Sequence, residues 1–157
     1  MEKIIIKMVD NNHYPTDRDI RDLIKYIAGE GKNASQEILL CKGGKGVSEN
    51  PKKAASQMIA VQRALKKDSS RRIYQIIVSF PKEMHEKKII KNVANDIAEF
   101  FFEKYQVYYG IHTSRQNWHI HFAINSVSYT EKNKWHQSKV EFVALKHEIQ
   151  DIVEKWN

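Results

Sequence analysis

The chain has 157 residues, enough for one substantial core and too few for two of ordinary size. Twenty-six Lys and Arg against nineteen Asp and Glu leave a formal charge of +7, which favours a polyanionic partner without choosing between nucleic acid, a membrane surface and plain solubility. A single cysteine, Cys41, excludes an intramolecular disulfide, and with no apolar run long enough for a signal peptide or a membrane span the chain reads as cytoplasmic, without membrane insertion.

Ile4 to Val9 reads as a first strand, broken by Asn11-Asn12-His13-Tyr14-Pro15. Thr16 then reads as an N-cap with Asp19 three residues on; Ile20, Leu23, Ile24 and Ile27 follow at helical spacing, and Gly29 and Gly31 end the helix. Glu37 to Cys41 reads as a short strand. Gly43, Gly44 and Gly46 read as a loop without the phosphate-loop pattern, because no GK[ST] follows a correctly spaced glycine. Pro51 opens a second helix to about Lys66, with Ala54, Met58, Val61 and Leu65 on its buried stripe. Arg72 to Phe80, rich in β-branched and aromatic residues and stopped by Pro81, reads as a central strand. A long helix from Glu83 to Lys104 would bury Ile89, Ile90, Val93, Ile97, Phe100 and Phe101. Tyr105 to His112 and Trp118 to Val127 form a hairpin, and a last helix from Lys139 to Trp156 carries Phe142, Leu145, Ile149, Ile152, Val153 and Trp156 on one side. Together these elements predict one α+β domain over residues 1–157, a largely antiparallel central sheet with flanking helices.

The hairpin holds the chemistry. On a strand alternate residues share a face, so His119, His121, Ala123 and Asn125 point one way while Trp118, Ile120, Phe122 and Ile124 point the other. Two imidazoles two residues apart on a rigid strand can reach one metal ion, and His112, returned alongside by the turn from Thr113 to Asn117, can supply a third ligand. A pair of histidines in a half-buried strand, each satisfied by a hydrogen bond, is the structural alternative. Three neutral imidazoles would leave a metal its full positive charge and open positions, which suits stabilising a phosphodiester in its transition state. Tyr26 stands at the border of the first helix's apolar stripe, where its ring can pack and its hydroxyl can reach out as a nucleophile, or where it is simply an amphipathic edge residue. From Lys52 to Arg72 seven basic residues, among them Lys52, Lys53, Arg63, Arg71 and Arg72, face one acid, Asp68. That run reads equally as a solvated helix face or as a surface that follows a phosphate backbone. Cys41 has no nearby His or carboxylate in sequence and reads as a packing residue.

A histidine, six residues and then HIHFAIN resembles the third motif of the plasmid mobilisation relaxases, HUH endonucleases that nick one DNA strand at an origin of transfer. LIKYI (Leu23 to Ile27) resembles their first motif, YQIIVSFPKE (Tyr74 to Glu83) their second, and QMIAVQRALKK the helix between, so motifs in the family's order cover nearly the whole chain. The resemblance implies an HUH-endonuclease-like fold in which Tyr26 attacks the scissile phosphate to form a 5′-phosphotyrosine. It also implies that His112, His119 and His121 bind Mg²⁺ or Mn²⁺ and that Ser79 helps place the DNA. The implied partner is single-stranded DNA at an origin of transfer with an adjacent hairpin, together with accessory mobilisation proteins. In one place the chain departs from the family, which often has an acidic residue where Ser114 stands. Replication initiators and transposases of the broader superfamily carry the tyrosine on a helix after the HxH strand, and the segment from Lys139 to Trp156 has none, so the order fits a relaxase. The chain reads as a minimal protein or an excised nuclease domain. Two other classes remain, a non-catalytic single-stranded-DNA-binding module and a metal-dependent phosphodiester hydrolase that uses water.

Overall fold

The alternation along the histidine strand becomes two differently covered faces of one sheet. The computed structural model describes residues 4–10, 12–30, 37–114, 117–136 and 138–156; Asn11, Gly31 and the turn residues Arg115 and Gln116 lie outside them. Strands β1 (Ile5–Met8), β2 (Ile38–Lys45), β3 (Ile73–Ser79), β4 (Val107–Thr113) and β5 (Trp118–Asn125) lie in the order β1-β3-β5-β4-β2. Every neighbouring pair is antiparallel. The central strand is therefore β5, and its apolar residues Ile120, Phe122 and Ile124 join Ile76, Val78, Val107 and Ile111 in a core closed by α3 (Lys87–Phe102) and α4 (Lys139–Glu154). On the other face Ile73, Tyr108 and Ala123 pack under α1 (Asp17–Ile27) and α2 (Pro51–Ala64).

α1 runs along the strands and is fixed at both ends. Thr16 and Asp19 form the expected capping box, the Thr16 hydroxyl accepting from the Asp19 N–H while Asp19 accepts from the Thr16 N–H. Asp17 in the first turn pairs with Arg72 at 2.7 Å, at the start of β3, and with Arg63 of α2. At the other end Ile27 packs against Gly110 of β4, where an added Cβ would stand 2.1 Å from the Ile27 carbonyl oxygen. Gly29, at φ +80°, ends the helix with its N–H donated to the Tyr26 carbonyl.

Four expectations are corrected. Gly43 and Gly44 are not in a loop: β2 continues to Lys45, pairing them with Tyr109 and Tyr108, and the Tyr109 ring covers Gly43 where a side chain would stand. The buried stripe of α2 is Pro51, Ala54, Ala55, Met58, Ile59 and Gln62, with Val61 and Leu65 only half-buried. Gln62 takes the buried place because it donates to the Arg72 carbonyl (2.7 Å) and Asn125 Oδ1 (2.8 Å) while accepting from Arg72 Nε. Glu83 is not the first residue of the long helix, since a turn in which the Met84 N–H donates to the Pro81 carbonyl delays α3 to Lys87.

The fourth correction concerns Arg72, a candidate DNA contact in the basic run that the sequence reads as surface. Its residue is 3 % exposed and its guanidinium is taken by Asp17 and Gln62, so it ties α1 and α2 to the sheet. Arg72→Ala is predicted to lower stability by roughly 3 kcal/mol in urea denaturation, because Asp17 and Gln62 lose a buried charged partner. Unchanged stability would return Arg72 to the surface role.

Candidate metal centre

Cross-strand register decides what surrounds the histidines. His119 of β5 lies opposite His112 of β4 on one side and Ser79 of β3 on the other, while His121 lies opposite Gly110 and Ile77. Directly paired residues share a face, so His112, His119, His121 and Ser79 are brought together near one end of the sheet beneath the C-terminal turn of α1. All three histidines are buried, and Ser79 is half-buried. Gly110 admits α1 closely enough for the Tyr26 ring to stand edge-on to His112 (5.6 Å between centroids) and His121 (5.5 Å).

Glu37, just before β2, completes the group, and sequence reasoning missed it. Its carboxylate meets His112 Nδ1 at 2.6 Å and His119 Nε2 at 3.0 Å, lies 3.9 Å from His121 Nε2, and acts by its charge on the Tyr26 phenol. It supplies the carboxylate that the Ser114 position lacks; Ser114 Oγ instead donates to the Asn117 carbonyl within the β4–β5 turn. One inward-facing ligand atom from each of Glu37, His112, His119 and His121 lies within 4.8 Å of the others.

The donor set fits a divalent metal ion, because the outward-facing nitrogens are held by hydrogen bonds. His112 Nε2 donates to the Ile27 carbonyl at 2.8 Å, leaving Nδ1 toward the centre. His121 Nδ1 donates to Gln75 Oε1 at 2.9 Å, and the Gln75 amide is held in that orientation because its NH₂ donates to the Tyr14 hydroxyl at 2.8 Å. His121 Nε2 is thereby a buried lone pair with no hydrogen-bond partner. Hydrogen bonds that fix tautomer and ring direction in this way are what metal-binding histidines require.

Burial, reinforced by the neighbouring histidines, pushes His121 down to about 2, and burial likewise holds His119 below the ordinary histidine range despite Glu37. Burial alone would raise Glu37, but hydrogen bonds and charge from His112 and His119 outweigh it and keep the carboxylate ionised below its usual range. Tyr26 is raised, first by burial and then by the Glu37 charge. The centre therefore combines two neutral imidazoles, an anion and a protonated phenol at neutral pH.

The other residues singled out by sequence lie elsewhere. Asn125 shares the histidine face, but six residues along β5 it is about 20 Å away and serves a buried polar group, accepting from Gln62 and donating to Gln106 Oε1 and the Met58 carbonyl. Lys52, Lys53 and Arg63 are exposed on α2, which crosses the sheet toward that far end; Arg63 pairs with Asp17, and half-buried Arg71 holds its guanidinium 4.7 Å above the Tyr74 ring.

Residues 26–157 match the family model described as relaxase, MobA/VirD2-like, nuclease domain. The chain belongs to that family, whose domain nicks DNA in mobilisation. A search among curated proteins finds none that matches. Among the described residues no helix is long and apolar enough to cross a membrane.

Two measurements test the centre. Gln75→Leu frees the His121 ring and is predicted to weaken Mn²⁺ binding about 10- to 100-fold in calorimetric titration; unaltered affinity would deny the orienting role. In the metal-free protein, His121 is protonated when unfolded below about pH 6.5 but remains neutral when folded, so the unfolded state binds the extra proton. Stability should fall by on the order of 1 kcal/mol per unit as pH drops below 6, and His121→Asn should flatten that slope in urea melts with chelator.

Proposed function

We propose that residues 1–157 act as one relaxase-type nuclease domain that nicks and reseals a single DNA strand at an origin of transfer through a 5′-phosphotyrosine at Tyr26. The observation that carries this reading is the Tyr26 ring, set edge-on to His112 and His121 beside the Glu37 carboxylate, where ligand atoms of three histidines converge. Glu37, already ionised, takes the phenolic proton as Tyr26 Oη attacks the phosphorus. The phosphorus–O3′ bond breaks and the 3′-oxygen leaves as a hydroxyl, taking up the proton that Glu37 received. The phosphotyrosine conserves the bond energy, so the 3′-hydroxyl can attack in reverse and the proton returns to Tyr26.

His112, His119 and His121 would hold Mg²⁺ or Mn²⁺, which supplies positive charge to the phosphate oxygens and offsets the raised ionisation of Tyr26. Ser79, paired with His119 and half-buried, would meet the strand beside the nick. Lys52, Lys53 and Arg63 offer a second contact toward the far end of the sheet, suited to a neighbouring hairpin. Accessory mobilisation proteins would act with this domain on the same DNA.

Tyr26→Phe is predicted to abolish both nicking and the covalent adduct while leaving Mn²⁺ and single-stranded DNA affinity within a few-fold. One hydroxyl contributes roughly 1 kcal/mol or less to binding, whereas its loss removes the nucleophile. Incubation with a pool of random oligonucleotides and Mn²⁺, followed by mass spectrometry, checks this. Cutting by the Phe variant without any adduct would replace the tyrosine mechanism with hydrolysis by water, and binding without cutting by the parent would leave a binding module.

A further inference from the structure

At the histidine end of the sheet, but on the α3 face opposite the metal centre, the chain carries a basic and aromatic surface separate from the one on α2. The Phe80 N–H donates to the Trp118 carbonyl at 2.9 Å, so the segment after β3 leaves the sheet beside the residue that precedes His119. Within that segment the exposed His85 imidazole lies flat on the Trp118 indole, 5.1 Å between centroids and 6° from parallel. Trp118 is half-buried against the core, which fixes the stack from below. Its outer member is an imidazole presented to solvent.

Charge on this surface is uncommitted. Lys82, Lys87, Lys88 and Lys91 are all exposed, and none is in an ion pair among the described residues. Six other cations, Lys42, Lys45, Lys104, Arg18, Arg63 and Arg72, are each matched by a carboxylate, whereas Lys52 and Lys53 of α2 are, like these lysines, in no ion pair among the described residues. Lys87, Lys88 and Lys91, with Asn92, line an open concavity of about 340 Å³. Glu83 and Glu86 are the exposed acids in the same stretch, so four cations face two anions.

We propose that the Trp118–His85 stack and the lysines at the start of α3 bind the single strand where it passes round the end of the sheet from the metal centre to the α3 face, one base stacking on His85 and successive phosphates lying along Lys87, Lys88 and Lys91. An aromatic platform beside a run of cations is the combination by which proteins hold single strands without reading sequence. This site rests on the nuclease reading given above, because its position matters only if Tyr26 cuts the strand that it holds. It differs from the α2 surface in lying at the histidine end of the sheet, and it acts through a stacked base as well as through charge.

The test uses the full chain and a fluorescein-labelled oligothymidine carrying 5-iodouracil, with binding followed by anisotropy at about 50 and 200 mM salt. The triple variant Lys87→Gln/Lys88→Gln/Lys91→Gln should bind at least tenfold more weakly at the lower salt, and its dependence of log affinity on log salt should fall by about 2. His85→Ala, which alters an exposed side chain, should lose about fivefold or more with little change in salt dependence. Irradiation of the parent complex should cross-link the oligonucleotide to a peptide containing His85 or Trp118. Parent-like binding by both variants, or cross-links confined to α2, would overturn this site while leaving the nuclease reading in place. A parent protein that binds no oligonucleotide would overturn both.

Discussion

The close approach of one helix end to one glycine is the constraint on which the centre depends. The Ile27 carbonyl oxygen stands where any side chain at Gly110 would begin, so the sheet face beneath the end of α1 must be bare backbone at that point. The same carbonyl accepts from His112, and one residue earlier the Tyr26 ring is set against His112 and His121. Helix position, histidine tautomer and tyrosine direction are therefore coupled. A methyl at Gly110 would displace the phenol and release His112 together.

The opposite end of α1 explains why so much buried polarity lies far from the chemistry. Arg72, Gln62, Asn125 and Gln106 are all buried and satisfy one another through side-chain and backbone hydrogen bonds. Such a group contributes little net stability but penalises any arrangement that leaves a member unpaired. With Asp17 joined to Arg72, it sets where α1 begins, and an 11-residue helix then delivers its last turn about 16 Å along the strands, over the histidines. Fold energetics at one end of the sheet thus position Tyr26 over the histidines at the other.

Much of this was legible locally. The period of two in WHIHFAIN separated histidine face from core face, and the capping box with its apolar stripe placed Tyr26 near the end of α1. What escaped the sequence was what depends on pairing across long separations. Glu37 joins His112 across 75 residues, through a β2–β4 register that no local pattern announces. Arg72 looked like one more cation in a basic run because its partner, Asp17, lies 55 residues earlier. Gln75 did leave a signal, a lone amide inside the otherwise apolar run of β3, which marks a buried polar group in need of a partner. Gly43 and Gly44 misled in the other direction, since glycine favours turns but here Gly43 makes room for the Tyr109 ring on the neighbouring strand and Gly44 for Val47.

The central claim is that Tyr26 and the three histidines form a single centre around one metal ion. Pulsed electron paramagnetic resonance of the Mn²⁺-loaded protein, grown with ring-deuterated tyrosine, tests it directly. The account predicts nitrogen couplings from histidine together with deuterium couplings from one tyrosine, the latter absent from Tyr26→Phe. Mn²⁺ that showed only water couplings, or histidine nitrogens with the tyrosine signal unchanged in the Phe variant, would contradict it.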